Sequence, residues 1–222
     1  MIDLRSDTVT LPTPAMREAM YRAEVGDDVY HEDPTINRLQ EMAAERLGKE
    51  AALFVASGTM GNAAAVLAHA GRAEAVIVGN QSHIYHYEVG GASTLGGSPM
   101  VVVPTHPDGM LDLHEVQISI SDGSDEHTAP TALLCIENTH NRCGGTVLHT
   151  PALSAWSVGL MLTFPVSYHV VDGMQVFYRC ALAYARAARS RLFASTLGNC
   201  FIAYPLARIS QKFCRQSYKH HI

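Results

Sequence analysis

Apolar and polar positions along the chain predict short strands that alternate with helices. Four short apolar runs predict strands, at Ala51–Ala56, Ala75–Val78, Met100–Val103 and Thr131–Ile136. Thr35–Leu47 repeats its apolar residues at helical spacing and stops at Gly48, and Met60–Ala70 is a second helical stretch. This alternation is typical of an α/β domain built around a mostly parallel sheet.

The pattern degrades after Leu148, and the distribution of charge breaks further along. Residues Met1–Asp172 contain 21 acidic and 8 basic residues, whereas Gly173–Ile222 contain 8 basic residues and no acidic ones. From Tyr178 onward, Arg, Ala, Ser, Cys and His are scattered without the alternation of a strand. We therefore expect a folded domain over 1–172 and a divergent basic tail over 173–222 that packs poorly.

Composition restricts the function classes. The 222 residues are 47% hydrophobic and 17% charged with a net charge of −5, which predicts a soluble globular protein without a nucleic-acid or membrane surface. Five cysteines without a Cys-x-x-Cys pair argue against disulfides and a metal site, and favour the reducing cytoplasm. The longest uncharged apolar stretch, Val158–Val166, is too short to cross a bilayer. Neither glycine motif of nucleotide-binding domains occurs.

Three places carry candidate chemistry. Ser57-Gly58-Thr59 lies between an apolar run and a helix, where exposed N–H groups attract a phosphate, although a plain helix cap has the same pattern. His83 follows a predicted strand and is either a proton acceptor or an ordinary loop histidine. Asp172 follows an apolar run, which on its own indicates a cap.

Long motifs occur in a fixed order along about three-quarters of the chain: Met1–Thr10, Val25–Tyr30, His31–Pro34, Leu53–Thr59, Asn62, Gln81–His83, Glu88–Gly91 and Ile136–Asn141. In this order they resemble the low-specificity L-threonine aldolases. The resemblance implies a pyridoxal 5'-phosphate (PLP) enzyme with an aspartate-aminotransferase-like fold, here an incomplete three-layer α/β/α large domain over 1–172. The tail over 173–222 lacks the resemblance. Because the family forms dimers or tetramers, we expect this chain to self-associate, as a homo-oligomer or by aggregation.

The resemblance also implies individual roles. Cofactor contacts are implied at Gly58, Thr59, His83 and Asp172. The first two hold the phosphate, the histidine stacks on the pyridine ring, and the aspartate keeps the ring nitrogen protonated. His127 lies near the hydroxyl of the substrate, a β-hydroxy-α-amino acid that Ser6 also contacts. His83, His127 or both receive the hydroxyl proton.

Two departures from the family pattern bear on activity. Gln175 replaces an arginine that contacts cofactor and substrate, and a neutral amide cannot form that ionic contact. The family's cofactor-binding lysine is expected within Ala194–Ile202, which contains no lysine. The chain has only Lys49, Lys212 and Lys219.

Two functions remain open. The first is the family reaction, retro-aldol cleavage of L-threonine or L-allo-threonine to glycine and acetaldehyde in threonine catabolism and glycine biosynthesis, with this chain expected to be inactive. The second is a non-catalytic pseudoenzyme with weak ligand or partner binding. The family continues well beyond this length, and a tail read in another frame or from another exon is one hypothesis for the difference.

Overall fold

The computed structural model describes residue 3, residues 9–47 and 50–148, and the strands at 166–170, 175–180 and 201–204. The chain divides into two compact units, Met1–Leu39 and Gln40–Ile222. No helix in these described ranges is long and apolar enough to cross a membrane.

The N-terminal part of the chain contains helices that begin at side-chain caps. Helix α1 spans Pro14–Arg22 and begins after Thr13, whose hydroxyl accepts a backbone hydrogen bond at 3.2 Å. A 3-10 turn at Asp28–Tyr30 follows, and helix α2 spans Pro34–Leu47. The carboxylate of Asp33 accepts two backbone N–H groups at 2.8 and 3.1 Å, and these hydrogen bonds lower the pKa of Asp33. This carboxylate therefore closes the turn and caps α2.

Seven strands are described: β1 (Ala51–Phe54), β2 (Ala75–Gly79), β3 (Met100–Val103), β4 (Thr131–Glu137), β5 (Val166–Val170), β6 (Gln175–Cys180) and β7 (Phe201–Tyr204). Strands β2 to β6 form one sheet in the order β3-β2-β4-β6-β5. Strand β2 pairs parallel with β3 and β4, whereas β6 pairs antiparallel with β4 and β5. Strand β1 pairs antiparallel with β7 in a separate two-stranded sheet.

Four further helices and a turn lie in the second unit: α3 (Gly58–His69), α4 (His83–His86), α5 (Gly91–Thr94), α6 (Leu113–Ser119) and a 3-10 turn (Asn141–Cys143). Side chains of a strand alternate between the faces of a sheet. Val76 and Val78 therefore lie in one apolar cluster with residues of α3, α4 and α5, while Ile77 lies in another with Val116 of α6. Helices cover both faces, which is the three-layer α/β/α arrangement expected from the sequence.

The α/β fold and all four predicted strands are confirmed, with strand ends within two residues of the prediction. The expected parallel pairing holds for β2, β3 and β4. Strand alternation is absent from the sequence after Tyr178, yet β6 continues to Cys180 and β7 spans Phe201–Tyr204. The backbone of β6 forms hydrogen bonds with the backbone of β4. Pairing between backbones does not require that apolar and polar side chains alternate along the strand.

Candidate active site

A buried carboxylate joins the loops that follow two parallel strands. Glu137 is the last residue of β4 and is 1% exposed. Its Oε2 atom accepts the backbone N–H of His83 at 2.6 Å, and its Oε1 atom accepts that of Asn141 at 2.9 Å. A buried carboxylate is costly unless hydrogen bonds satisfy it, and these two donors do so. Glu137 thus fixes the loop after β2 to the loop after β4, at the sheet edge where α/β proteins bind ligands.

A second buried carboxylate holds the ring of His83. The Nδ1 atom of His83 lies 2.8 Å from Oε1 of Glu88, whose side chain is 3% exposed. The side-chain amide of Asn62, in α3, donates to the same oxygen at 2.7 Å. The His83 side chain remains 25% exposed, and the Tyr87 ring lies at a centroid distance of 5.2 Å. The imidazole is therefore fixed on one side and accessible on the other.

The first turn of α3 presents backbone donors close to this histidine. Ser57 caps the helix, since its hydroxyl accepts the Met60 N–H at 3.1 Å. The N–H groups of Gly58 and Thr59 make no hydrogen bond with any other described residue. Asn62 lies three residues beyond Thr59, or about 4.5 Å along the helix axis. Because Asn62 and His83 share an oxygen of Glu88, the free donors and the imidazole lie on the same side of the fold.

The residues after β4 complete this edge of the sheet. Arg142 donates from Nε to Gln81 at 2.8 Å and from Nη1 to the Tyr87 hydroxyl at 2.7 Å, which adds a second link between the two loops. His140 is 1% exposed, and within the described ranges neither of its ring nitrogens has a hydrogen-bond partner. Burial lowers the pKa of His140, while the Glu137 carboxylate, 3.8 Å from Nδ1, opposes that shift.

Comparison with known proteins identifies the family. Residues 3–157 match the family model of the beta-eliminating lyases. The chain belongs to the beta-eliminating lyase family. Low-specificity L-threonine aldolase 1 of Arabidopsis thaliana is 52% identical over 149 residues, which are 66% of this chain and 42% of that protein. Low specificity L-threonine aldolase of Escherichia coli K12 is 46% identical over 188 residues, 82% of this chain and 54% of that protein.

A solved structure of a threonine aldolase is also similar to this chain. Leishmania major threonine aldolase superposes with a TM-score of 0.52 and 25% identity, over 66% of this chain and 42% of that one. The resemblance to the low-specificity L-threonine aldolases is thereby confirmed. The chain spans about half the length of the curated relatives that it matches. The E. coli match extends over 188 residues, which is more than the predicted domain 1–172 contains. The division at residue 172 stays a prediction.

PLP, the cofactor expected from the resemblance, is the cofactor of this family. Residues of the described site suit both the phosphate and the ring of this cofactor. The N–H groups of Gly58 and Thr59 at the start of α3, which no described residue accepts, suit the phosphate because a helix N-terminus attracts anions. The half-open face of His83 suits a planar ring. In the described ranges no group of three or more histidine, cysteine or acidic residues is arranged to hold a metal ion.

The structure does not bring His127 to the same place. His127 lies in the loop before β4, with its side chain 85% exposed, and its N–H donates to Asp125 at 2.9 Å. Strand β4 has seven residues, so its two ends are about 20 Å apart at a rise of about 3.3 Å per residue. His83 is at the C-terminal end of this sheet and His127 at the other, so only His83 belongs to the described site of a single chain.

Several predicted positions lie outside the described residues. These are Ser6, Asp172 and the three lysines, Lys49, Lys212 and Lys219. Gln175 is described at backbone level only, and it pairs with Glu137 in the register of β4 and β6. The family departure at this position therefore falls at the edge of the sheet where His83 and Glu137 lie.

Sequence patterns assign no role to four residues that shape the site. Asn62, Glu88 and Glu137 were part of the motifs that carry the resemblance, and Arg142 follows the last of them. A signal was present, because Glu137 directly follows a strongly apolar strand and an acid there must find donors. Its partner, however, is 54 residues away in sequence, and only the folded chain identifies it.

Proposed function

We propose that this chain provides a PLP site of the L-threonine aldolase type, for the cleavage of a β-hydroxy-α-amino acid to glycine and an aldehyde. The observation that supports this most directly is the imidazole of His83, which buried Glu88 links to Asn62 of α3, the helix whose first N–H groups, of Gly58 and Thr59, no described residue accepts. L-Threonine and L-allo-threonine are the proposed substrates, and acetaldehyde is the second product. Asp172 and Ser6 keep their roles as proposals, on the cofactor and the substrate respectively.

Each described group has a task in this proposal. When bound, the cofactor supplies an electron sink for the electron pair released from the Cα–Cβ bond. The N–H groups of Gly58 and Thr59 would hold the phosphate, and His83 would contact the pyridine ring. The Nε2 atom of His83 accepts the β-hydroxyl proton, since Nδ1 already contacts Glu88.

We expect the 222-residue chain to bind PLP without steady turnover of L-threonine. The stretch Ala194–Ile202 contains no lysine, so non-covalent contacts alone retain the cofactor. A neutral glutamine, Gln175, stands where an arginine is expected, and loss of one buried charge-assisted contact costs about 1.5–3 kcal/mol. The alternative function, a non-catalytic pseudoenzyme, is favoured by the same two observations.

One experiment tests the site and its turnover together. Purified chain is titrated with PLP by absorbance, then reduced with borohydride and digested for mass spectrometry, while glycine release from L-threonine is assayed in parallel. We expect weak PLP binding that His83→Ala abolishes and that His114→Ala, at an exposed histidine of α6, leaves unchanged. Binding that ignores His83 would contradict the proposed site. A pyridoxyl adduct on Lys212 together with steady glycine release would contradict the expected inactivity.

We further propose a homo-oligomer that acts in the cytoplasm, in threonine catabolism and glycine biosynthesis. Because His83 and His127 lie at opposite ends of β4, both reach one site only if a second copy supplies one of them. Helix α1 buries none of its side chains in the described chain, and Met20 and Tyr21 are 69% and 86% exposed. Light scattering over a concentration series tests this, and a stable monomer at high concentration would contradict it.

A further inference from the structure

The contact between Glu88 and His83 determines more than the position of the ring. A carboxylate has only acceptor atoms, so the ring nitrogen that faces it must carry a proton. That nitrogen is Nδ1, which lies 2.8 Å from Oε1 of Glu88. In the neutral imidazole the other nitrogen, Nε2, is then the acceptor. No other described residue hydrogen-bonds to Nε2, and the side chain is 25% exposed.

Asn62 fixes the orientation of the Glu88 carboxylate. Its side-chain amide donates to the same Oε1 atom of Glu88 at 2.7 Å, and both Asn62 and Glu88 are buried, at 5% and 4% exposure. The oxygen that faces His83 is therefore held by α3 and by the loop after α4 at once. A carboxylate fixed in this way selects one tautomer rather than merely contacting the ring.

We propose that Glu88 is a positioning residue that selects the Nδ1–H tautomer of His83 and so makes Nε2 the proton acceptor of the site. The selection of the tautomer is a property of the folded chain alone. Its use, acceptance of the β-hydroxyl proton of a bound substrate, rests on the proposed function. Glu88 itself touches neither the substrate nor the cofactor in this role and acts only through His83.

The test reads the tautomer directly in the full chain without cofactor. Long-range proton–nitrogen NMR spectra distinguish the Nδ1–H and Nε2–H forms of each imidazole by the pattern and shift of its two nitrogens. Spectra are recorded at about pH 8.5, where histidines of ordinary pKa, about 6.5, are neutral. The chain has 12 histidines, so the signals that disappear in His83→Gln assign the ring of interest.

Three substitutions separate tautomer selection from a purely structural role. Glu88→Leu removes the acceptor, and we expect the ring nitrogens of His83 to lose the Nδ1–H pattern. Glu88→Gln keeps an oxygen that Asn62 orients, and we expect it to retain that pattern. Glu74→Gln is the matched control, because its carboxylate caps the Gly71 N–H at 2.6 Å before β2, and it should change nothing at His83.

Each result decides the question. An Nε2–H pattern in the unmodified chain overturns the proposal, and this measurement holds even if Glu88→Leu does not fold. An unchanged Nδ1–H pattern in folded Glu88→Leu overturns it as well, because Glu88 would then have only a structural role. Since no PLP is added, a failure here is distinct from a failure of PLP binding, which would instead contradict the proposed function.

Discussion

Replacing Glu137 tests whether a buried carboxylate holds the loops of the site together. Its two oxygens accept the backbone N–H groups of His83 at 2.6 Å and of Asn141 at 2.9 Å, and Glu137 is 1% exposed. Hydrogen bonds to a charged group contribute about 1.5–3 kcal/mol each. Glu137→Ala removes both acceptors, so we expect the free energy of unfolding to fall by about 3–6 kcal/mol. Glu137→Gln keeps one acceptor oxygen and should lose about half as much.

Urea denaturation measures this effect, as a lower midpoint at an unchanged slope. Asp112→Ala is a suitable control, because Asp112 also accepts one backbone N–H, at 3.0 Å, but at the more exposed N-terminus of α6. A single exposed helix cap of this kind contributes less than two hydrogen bonds to a buried carboxylate. If Glu137→Ala costs no more than Asp112→Ala, then Glu137 does not hold the two loops together, and our account of the site edge is wrong.

Two further predictions concern stability. Burial lowers the pKa of His140 in the folded chain, so stability should fall as pH drops below about 6.5, by up to about 1.4 kcal/mol per pH unit, because the unfolded chain binds the proton more readily. Denaturation from pH 5 to 8 checks this, and an identical pH slope in His140→Gln would contradict it. A Cβ at Gly79 would lie 2.7 Å from the Leu111 side chain, so Gly79→Ala should cost about 1–3 kcal/mol. Gly91→Ala, where the space is open, should cost nothing by the same urea assay.

The secondary structure of the sheet centre could be predicted because it is local. Strands β2 and β4 are short apolar runs that are buried along their whole length, and runs of that kind are typical of a parallel sheet covered on both faces. Partners of strands are not local. Ala51–Ala56 was recognised as a strand, but nothing in those letters indicates that β1 pairs with β7 in a separate sheet.

The tail contains a strand that the sequence pattern does not predict. Strand β6 lies at Gln175–Cys180, after the point at which the apolar pattern of the sequence degrades. It pairs antiparallel with β4, from Glu137 opposite Gln175 to Leu133 opposite Arg179. Strand propensity depends on the neighbouring strand as much as on the residues themselves. A strand that relies on its neighbour in this way leaves little trace in its own sequence.

The candidate site was predicted in part, and the omissions have a common physical cause. Gly58, Thr59 and His83 were identified because motif strings name them. Glu88 and Glu137 were not assigned, because an acid in a loop or at a strand end also occurs as an ordinary cap. What distinguishes these two is burial and the identity of their donors, and their partners Asn62 and His83 are 26 and 54 residues away. The position of His127 also depends on the fold. It precedes β4, whereas His83 contacts the last residue of that strand, so the two histidines lie at opposite ends of β4.

The contacts that shape the site come from a limited part of the chain. The cap at Ser57, the oxygen shared by Asn62 and His83, and the link from Glu137 to Asn141 all lie between residues 57 and 141. None of these described contacts involves a residue of the tail. The residues that would orient the phosphate and ring of PLP are therefore different from the residue that would attach it covalently. The resemblance places that lysine within Ala194–Ile202, which contains no lysine. For that reason PLP binding and L-threonine turnover must be measured independently, and a chain that binds PLP without turnover is consistent with its described contacts.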